Sequence, residues 1–159
     1  MSDSHSAMRH MRLAIDTVKP EAVIHLGDHY DDAEALPEEY SHVRFHQVPG
    51  NCDRYRCPPN TLQILCYSIG GVKFYMTHGH LHGVKSGPYR LIADAREMGA
   101  QAALYGHTHI ADCHREGDLW LINPGSCNSA EGSVAVIETF ENAISSCTIL
   151  QLRDLEEKV

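Results

Sequence analysis

Five short stretches carry the residues that could do chemistry. They are Asp3-x-His5, Gly27-Asp28, Gly50-Asn51-Cys52-Asp53, His78-Gly79-His80 and His107-Thr108-His109. Carboxylate and amide oxygens alternate with imidazoles, and no Cys-x-x-Cys pair accompanies them. Such a mixed oxygen and nitrogen donor set suits Mn, Fe, Zn, Ni or Co and would be unusual for a structural zinc site. One shared carboxylate can hold two divalent ions roughly 3.5–4 Å apart, and such a pair activates water and grips phosphoryl oxygens. Asp28 is the candidate bridge. A single histidine in a loop is more often a surface or hydrogen-bonded residue. The recurrence of the pattern in several separate loops carries the functional reading.

The elements around these loops explain how they could meet. "AVIH", "VRFHQV", "VKFYMT", "AALY" and "LWLIN" are short apolar runs, each followed at once by glycine or polar residues. They read as buried strands that end in loops. Met8, Met11, Ile15 and Val18 recur on one helical face before Pro20, and Leu91, Ile92, Ala95 and Met98 do so before Gly99. Strands alternating with helices imply βα units around a largely parallel sheet, whose ligands bind beyond the carboxyl ends of the strands. After His109, "DCHREGDLWLINPGS", "SVAVIETF" and "AISSCTILQL" have room only for turns between strands. That end is expected to be antiparallel, as a second sheet packed on the first, with "RDLEEKV" a polar tail.

Asp3 and His5 stand where a strand-end motif would, immediately before a helix. If they are one more strand-end motif, a strand is expected ahead of them that this sequence does not include. One domain over residues 1–159 is expected, lacking part of its first strand.

Composition narrows the classes. The chain has 159 residues, net charge -8 and 12 histidines against 13 lysines and arginines. The basic residues form no cluster that could follow a phosphate backbone, which argues against nucleic acid as a partner. No apolar run approaches the roughly 18 residues that cross a bilayer, and nothing resembles a signal peptide. No membrane partner and a cytoplasmic setting are the expectations. The six cysteines are scattered, and a chain of this length does not need covalent staples, so free thiols are expected.

The ordered series, completed by Gly106-His107-Thr108-His109 and Asn123-Pro124-Gly125-Ser126, closely resembles the calcineurin-like metallophosphoesterase superfamily, in particular its small phosphodiesterases of the YfcE type. The resemblance implies a four-layer αββα sandwich, two mixed β-sheets flanked by helices. It implies two divalent metal ions, manganese first among the candidates. Asp3, His5, Asp28 and His109 would bind one ion, and Asp28, Asn51, His78 and His107 the other. The implied reaction is in-line attack on phosphorus by a hydroxide bridging the metals, with a small phosphoester as substrate and no covalent enzyme intermediate. Asp28, Asn51, His78 and His80 would then be the catalytic set. Small members of the family are often dimers or larger, so a homo-oligomer is compatible with it.

One departure from the wider family matters. Cys52 stands where a histidine usually follows the asparagine, which leaves His80 or Asp53 as candidates to handle the proton, though each reads first as a residue that supports the ligands. Two other functional classes fit parts of the pattern: a non-catalytic scaffold module of the same fold, and a mononuclear metal hydrolase acting on another bond. His25 and His46 lie within apolar strands and read as structural, while His10, His42 and His114 read as solvent-exposed. Asp31 and Asp32 are expected to cap a helix. Asn123 and Ser126 are explained almost as well by a plain Pro-Gly turn as by a pocket role.

Overall fold

A computed structural model describes residues 1–156. Helix α1 (Met8–Val18) leads to strand β1 (Ala22–His25), the short helix α2 (Tyr30–Glu34) and β2 (Arg44–Gln47), which pairs parallel with β1. Strands β3 (Ile64–Ile69) and β4 (Val72–Thr77), helix α3 (Tyr89–Glu97), β5 (Ala102–Leu104), β6 (Asp112–Glu116) and β7 (Leu119–Asn123) follow. They build one five-stranded mixed sheet in the order β3-β4-β5-β7-β6. Strands β8 (Ser133–Phe140) and β9 (Ala143–Gln151) form an antiparallel hairpin, and α4 (Leu152–Glu156) closes the described chain.

Three apolar clusters stack these elements into four layers. Met11, Ala14, Ile15 and Leu36 of the outer helical layer meet Val23, Val134, Leu152 and Leu155. Leu26 and Val48, with Ala135 and Ile137, pack on Phe74, Met76, Leu104 and Ile122 of the five-stranded sheet. The far face of that sheet is covered by Leu91 and Ala95 of α3, against Tyr75, Ala103 and Leu121. The architecture is thus the expected mixed α/β class, with helices outside two β layers.

Several local expectations change. Strand β7 pairs parallel with β5, and β6 pairs antiparallel with β7 at the sheet edge. The turn-linked run after His109 therefore extends the first sheet, and only β8 and β9 form a separate hairpin. Residues 64–69, which the sequence left unassigned, pair antiparallel with β4. The terminal "RDLE" is no tail: Leu152 and Leu155 are buried against α1, an amphipathic signal too short for periodicity to show. Residues 157–159 lie outside the described part. Met98, assigned to the buried face of α3, is 49% exposed because the helix ends at Glu97. His10 is only partly exposed, with Nε2 3.9 Å from Glu156 of α4. Cys113 and Cys147 are joined by a disulfide between β6 and β9, so four cysteines, not six, are free. Among the described residues no helix is long and apolar enough to cross a membrane.

Candidate metal centre

Every donor loop leaves the end of a strand or the Met1–Asp3 segment. Left-handed backbone recurs through them: φ is +54° at Asp3, +44° at His5, +58° at Asp28, +67° at His107 and +61° at His109. Non-glycine residues adopt this region at some cost, and such residues concentrate where surrounding structure fixes a functional geometry. Close loop approach requires glycine as well. A Cβ on Gly27, already at φ +93°, would overlap the backbone of Gly50, and one on Gly106 would overlap the side chains of Ser2 and Asp3.

Asp53 locks two of these loops together. Its Oδ2 accepts from the amides of Asp28 (2.9 Å) and Gly50 (2.7 Å), and its Oδ1 from those of His29 (2.8 Å) and Tyr30 (3.0 Å). With both oxygens committed to backbone, the buried Asp53 carboxylate is a clamp, a supporting role and not a chemical one. Asn123 Nδ2 donates to Gly106 O and Thr108 Oγ1, and Ser126 Oγ donates to Asp3 O. These two side chains brace the His107–His109 and Asp3 loops, which a plain Pro-Gly turn would not do. Asp31 and Asp32 do not cap α2, whose N-cap is His29 without a side-chain cap bond. Asp32 instead accepts from Ser4 Oγ and the Ser6 amide, and Asp31 pairs with Arg56. His29, which the sequence gave no reason to single out, packs edge-on against His5 with ring centroids 5.1 Å apart.

The donors converge in one basin. His78, fully buried, donates from Nδ1 to Leu26 O at 2.7 Å, so in the neutral ring Nε2 bears no proton. Nε2 faces Asn51 Oδ1 at 3.1 Å, Asp28 Oδ1 at 3.6 Å and Asp3 Oδ1 at 4.0 Å. Its other close neighbour is His107 Nδ1 at 3.2 Å. Asp3 Oδ1 is buried without a hydrogen-bond partner, while Oδ2 accepts from Ser2 Oγ and the His107 amide. His109 Nε2 stands 3.1 Å from that orphaned oxygen, and His5 Nε2 lies 4.0 Å from Asp28 Oδ2. Two groups of ligand atoms lie within 4.8 Å of one another, Asp3-His5-His109 and Asp3-Asp28-His78. A buried carboxylate oxygen without a hydrogen-bond partner, set among other lone-pair donors, is satisfied when a cation sits among them. All seven sequence-derived donors (Asp3, His5, Asp28, Asn51, His78, His107 and His109) therefore belong to one site, and they fit divalent metal. Asp3 is the residue common to both groups, and Asp28 faces both His5 and His78.

Electrostatics favour the forms that bind a cation. Burial works against the Asp28 carboxylate, but the Cys52 amide and the neighbouring His78 and His5 together hold its pKa below the usual carboxylate value. Burial, with His78 close by, pushes the pKa of His107 and of His80 down, keeping both imidazoles neutral. His80 opens a 3₁₀ turn (His80–His82) and lies beside the basin, its ring centroid 5.3 Å from His78 and 6.1 Å from His107. Gly79, at φ +104°, sets it there, so "HGHLH" is a turn and not a strand with three aligned histidines. The Cys52 thiol is pushed up by burial and by the Asp28 carboxylate, which keeps it protonated and a poor nucleophile.

His25 and His46 are structural. His25 Nδ1 accepts from the Gly27 amide and Nε2 meets Ser4 Oγ, while His46 Nδ1 meets Tyr67 OH.

The calcineurin-like phosphoesterase superfamily domain matches residues 1–142. The chain belongs to this family. It is 32% identical over 126 residues to a probable metallophosphoesterase of Bacillus subtilis, YsnB, covering 79% of this chain and 72% of that one. The phosphodiesterase YfcE of Escherichia coli is 27% identical over 128 residues, covering 67% and 64%. A crystal structure of a predicted phosphoesterase from Streptococcus pneumoniae superposes with a TM-score of 0.75 at 28% identity, covering 96% of this chain and 87% of the other. Metal dependence is thus a property of the family, and in this member the candidate donors lie together in one basin.

Proposed function

We propose that the protein is a metal-dependent phosphodiesterase. The observation that carries this reading is the convergence of Asp3 Oδ1, Asp28 Oδ1, Asn51 Oδ1 and His78 Nε2 in one buried basin. We assign the ligands as two overlapping sets: Asp3, His5, Asp28 and His109 to one ion, and Asp28, Asn51, His78 and His107 to a second. Manganese is the first candidate. When bound, such ions supply an activated water and neutralise charge building on the phosphoryl oxygens.

The chain's own residues do the remainder. Asp53 holds the Asp28 and Asn51 loops in register, so the ligands need not reorganise during reaction. His80, beside the basin, can donate a hydrogen bond to the leaving oxygen, which takes its proton from solvent, opposite an in-line attack by water. A covalent route through Cys52 is disfavoured because its thiol stays protonated. A diester carries one negative charge and a monoester two. The basin holds Asp3 and Asp28, and Arg56 is engaged with Asp31, so the surroundings suit the less charged substrate. The phosphodiesterase name of YfcE supports the same choice.

The test compares bis-(p-nitrophenyl) phosphate with p-nitrophenyl phosphate on the manganese-loaded protein. Faster turnover of the diester, abolished by chelation and by His78→Ala, is expected. Faster turnover of the monoester would overturn the diester preference, and no turnover of either would overturn the enzymatic reading.

A further inference from the structure

His82 is a buried imidazole that the metal basin does not use. It closes the 3₁₀ turn His80–His82 that carries His80, between Gly79 at φ +104° and Gly83 at φ +63°. Within that turn the His82 amide donates to Gly79 O at 3.0 Å and the Gly83 amide to His80 O at 3.2 Å. A single 3₁₀ turn between two glycines has little stability of its own, because its hydrogen bonds are poorly aligned and either glycine can rotate. The side chains of His80 and Leu81 add little: His80 Nδ1 is buried without a hydrogen-bond partner, and Leu81 is 48% exposed. The place of His80 is therefore decided by what holds the turn from outside.

It is held by side chains from two elements of the core. His82 Nε2 meets Tyr75 OH of β4 at 2.9 Å and lies 3.4 Å from Asp94 Oδ2 of α3. The Tyr75 ring stands edge-on to the imidazole, with centroids 5.7 Å apart. Arg90 of α3 donates from Nη1 to Leu81 O at 3.3 Å, and its Nε lies 3.8 Å from Asp94 Oδ2. Strand β4 runs inside the five-stranded sheet, and α3 packs across the face of that sheet through Leu91 and Ala95. The turn is thus tied to an interior strand and to the helix that covers it. Burial, then Asp94, pushes the Tyr75 hydroxyl pKa up to about 12, and burial pushes that of His82 down, so the contact between them is one of neutral groups. His82 Nδ1 is buried without a partner. An apolar ring would cost less to bury there, so packing alone does not account for a histidine.

We propose that Tyr75, His82 and Asp94 are positioning residues for the reaction, which fix the His80–His82 turn so that His80 meets the leaving oxygen of the substrate. The proposal rests on the phosphodiesterase reading, in which His80 donates a hydrogen bond to that oxygen. None of the three touches substrate or metal. The His80 hydrogen bond strengthens as charge builds on the leaving oxygen, so its geometry matters most in the transition state. A small displacement of the turn then lowers turnover while leaving substrate and metal binding nearly as they were. A more basic leaving group carries more charge to be stabilised, so the loss grows with leaving-group basicity.

Tyr75→Phe and His82→Phe test it on the manganese-loaded protein, with p-nitrophenyl methyl phosphate and phenyl methyl phosphate as diesters whose aryl leaving groups differ in basicity. Both variants are expected to keep KM and manganese stoichiometry within about twofold and to lose kcat, by about tenfold on the nitrophenyl ester and by more on the phenyl ester. On a His80→Ala background the same substitutions should change kcat by less than about twofold, because the group they place is gone. In metal-free His82→Phe, hydrogen exchange at the Gly83 amide should rise about tenfold while that of β4 stays unchanged. Tyr75→Phe keeps the ring and carries the test if His82→Phe does not fold. An unchanged kcat, an equal loss on both esters, or the same loss with His80 absent would overturn the proposal and leave the three residues purely structural. A parent that turns over neither ester would overturn the phosphodiesterase reading instead. The exchange measurement then decides separately whether His82 holds the turn, and unchanged exchange at Gly83 would overturn that.

Discussion

Replacing Asp53 should be among the most damaging changes outside the metal ligands themselves, although in the structure it is no ligand. In Asp53→Ala four backbone N–H groups, those of Asp28, His29, Tyr30 and Gly50, lose their acceptor together. Three of the four belong to buried residues, and that of the half-buried His29 can turn to water. An orphaned buried donor costs about 1–3 kcal/mol, so three cost on the order of 4 kcal/mol once partial relaxation and water entry are allowed. For a domain of this size each kcal/mol moves the midpoint by about 2–4 °C, giving a fall in Tm of roughly 8–16 °C. Asp53→Asn keeps one acceptor oxygen but turns an NH2 group towards two of the donors, so its loss should be about half as large. Thermal unfolding of the metal-free proteins followed by circular dichroism reads this directly. Manganese retention after desalting should fall in parallel, because Asp28 and Asn51 lie on the two clamped loops. A Tm for Asp53→Ala within about 3 °C of the parent would refute the clamp.

Further expectations follow from other contacts. His78→Ala should lower phosphodiester hydrolysis by about a hundredfold or more and reduce manganese stoichiometry measured by elemental analysis, since it removes the nitrogen on which four donors converge. The pKa of buried His25 is pushed down to about 3 from 6.5, by burial first and then by the Met1 ammonium and His78. The unfolded chain therefore takes up a proton that the folded chain refuses. This contribution to stability is complete above about pH 6.5 and is lost as pH falls from there towards 3, by at most about 1.4 kcal/mol per unit. Urea unfolding at pH 7.0, 6.0 and 5.0 should show this slope, and His25→Gln should flatten it. Cys147→Ser opens a link between residues 34 apart in sequence and should cost about 3 kcal/mol. Alkylation of the unfolded, unreduced parent should label four thiols, the number of free cysteines.

Much of this protein was legible in its residues. Each donor motif directly follows a short apolar run or, at Asp3, opens the chain ahead of a helix. Side-chain type and glycine placement therefore pointed to the loops that meet in the basin, and the family resemblance narrowed their candidates to the seven donors. The apolar period of α1 and α3 was equally plain, because a helix that buries one stripe must repeat its apolar residues at that spacing.

What the sequence could not show depends on which chain segments become neighbours. Whether "LWLIN" pairs with β5 or starts another sheet is settled by packing partners distant in the chain, since a strand's own pattern reports only which faces are buried. The commitment of Asp53 to four amides, the bracing by Asn123 and Ser126, and the left-handed backbone at Asp3, His5, Asp28, His107 and His109 leave no trace in residue type. They arise only when separate loops press together. Residue types thus pointed to a site for a divalent cation and to the loops that carry its candidate donors. The tertiary structure decided that Asp3 joins both groups of donors and that His78 turns Nε2 towards them, because hydrogen-bond partners are properties of contacts between segments far apart in the chain.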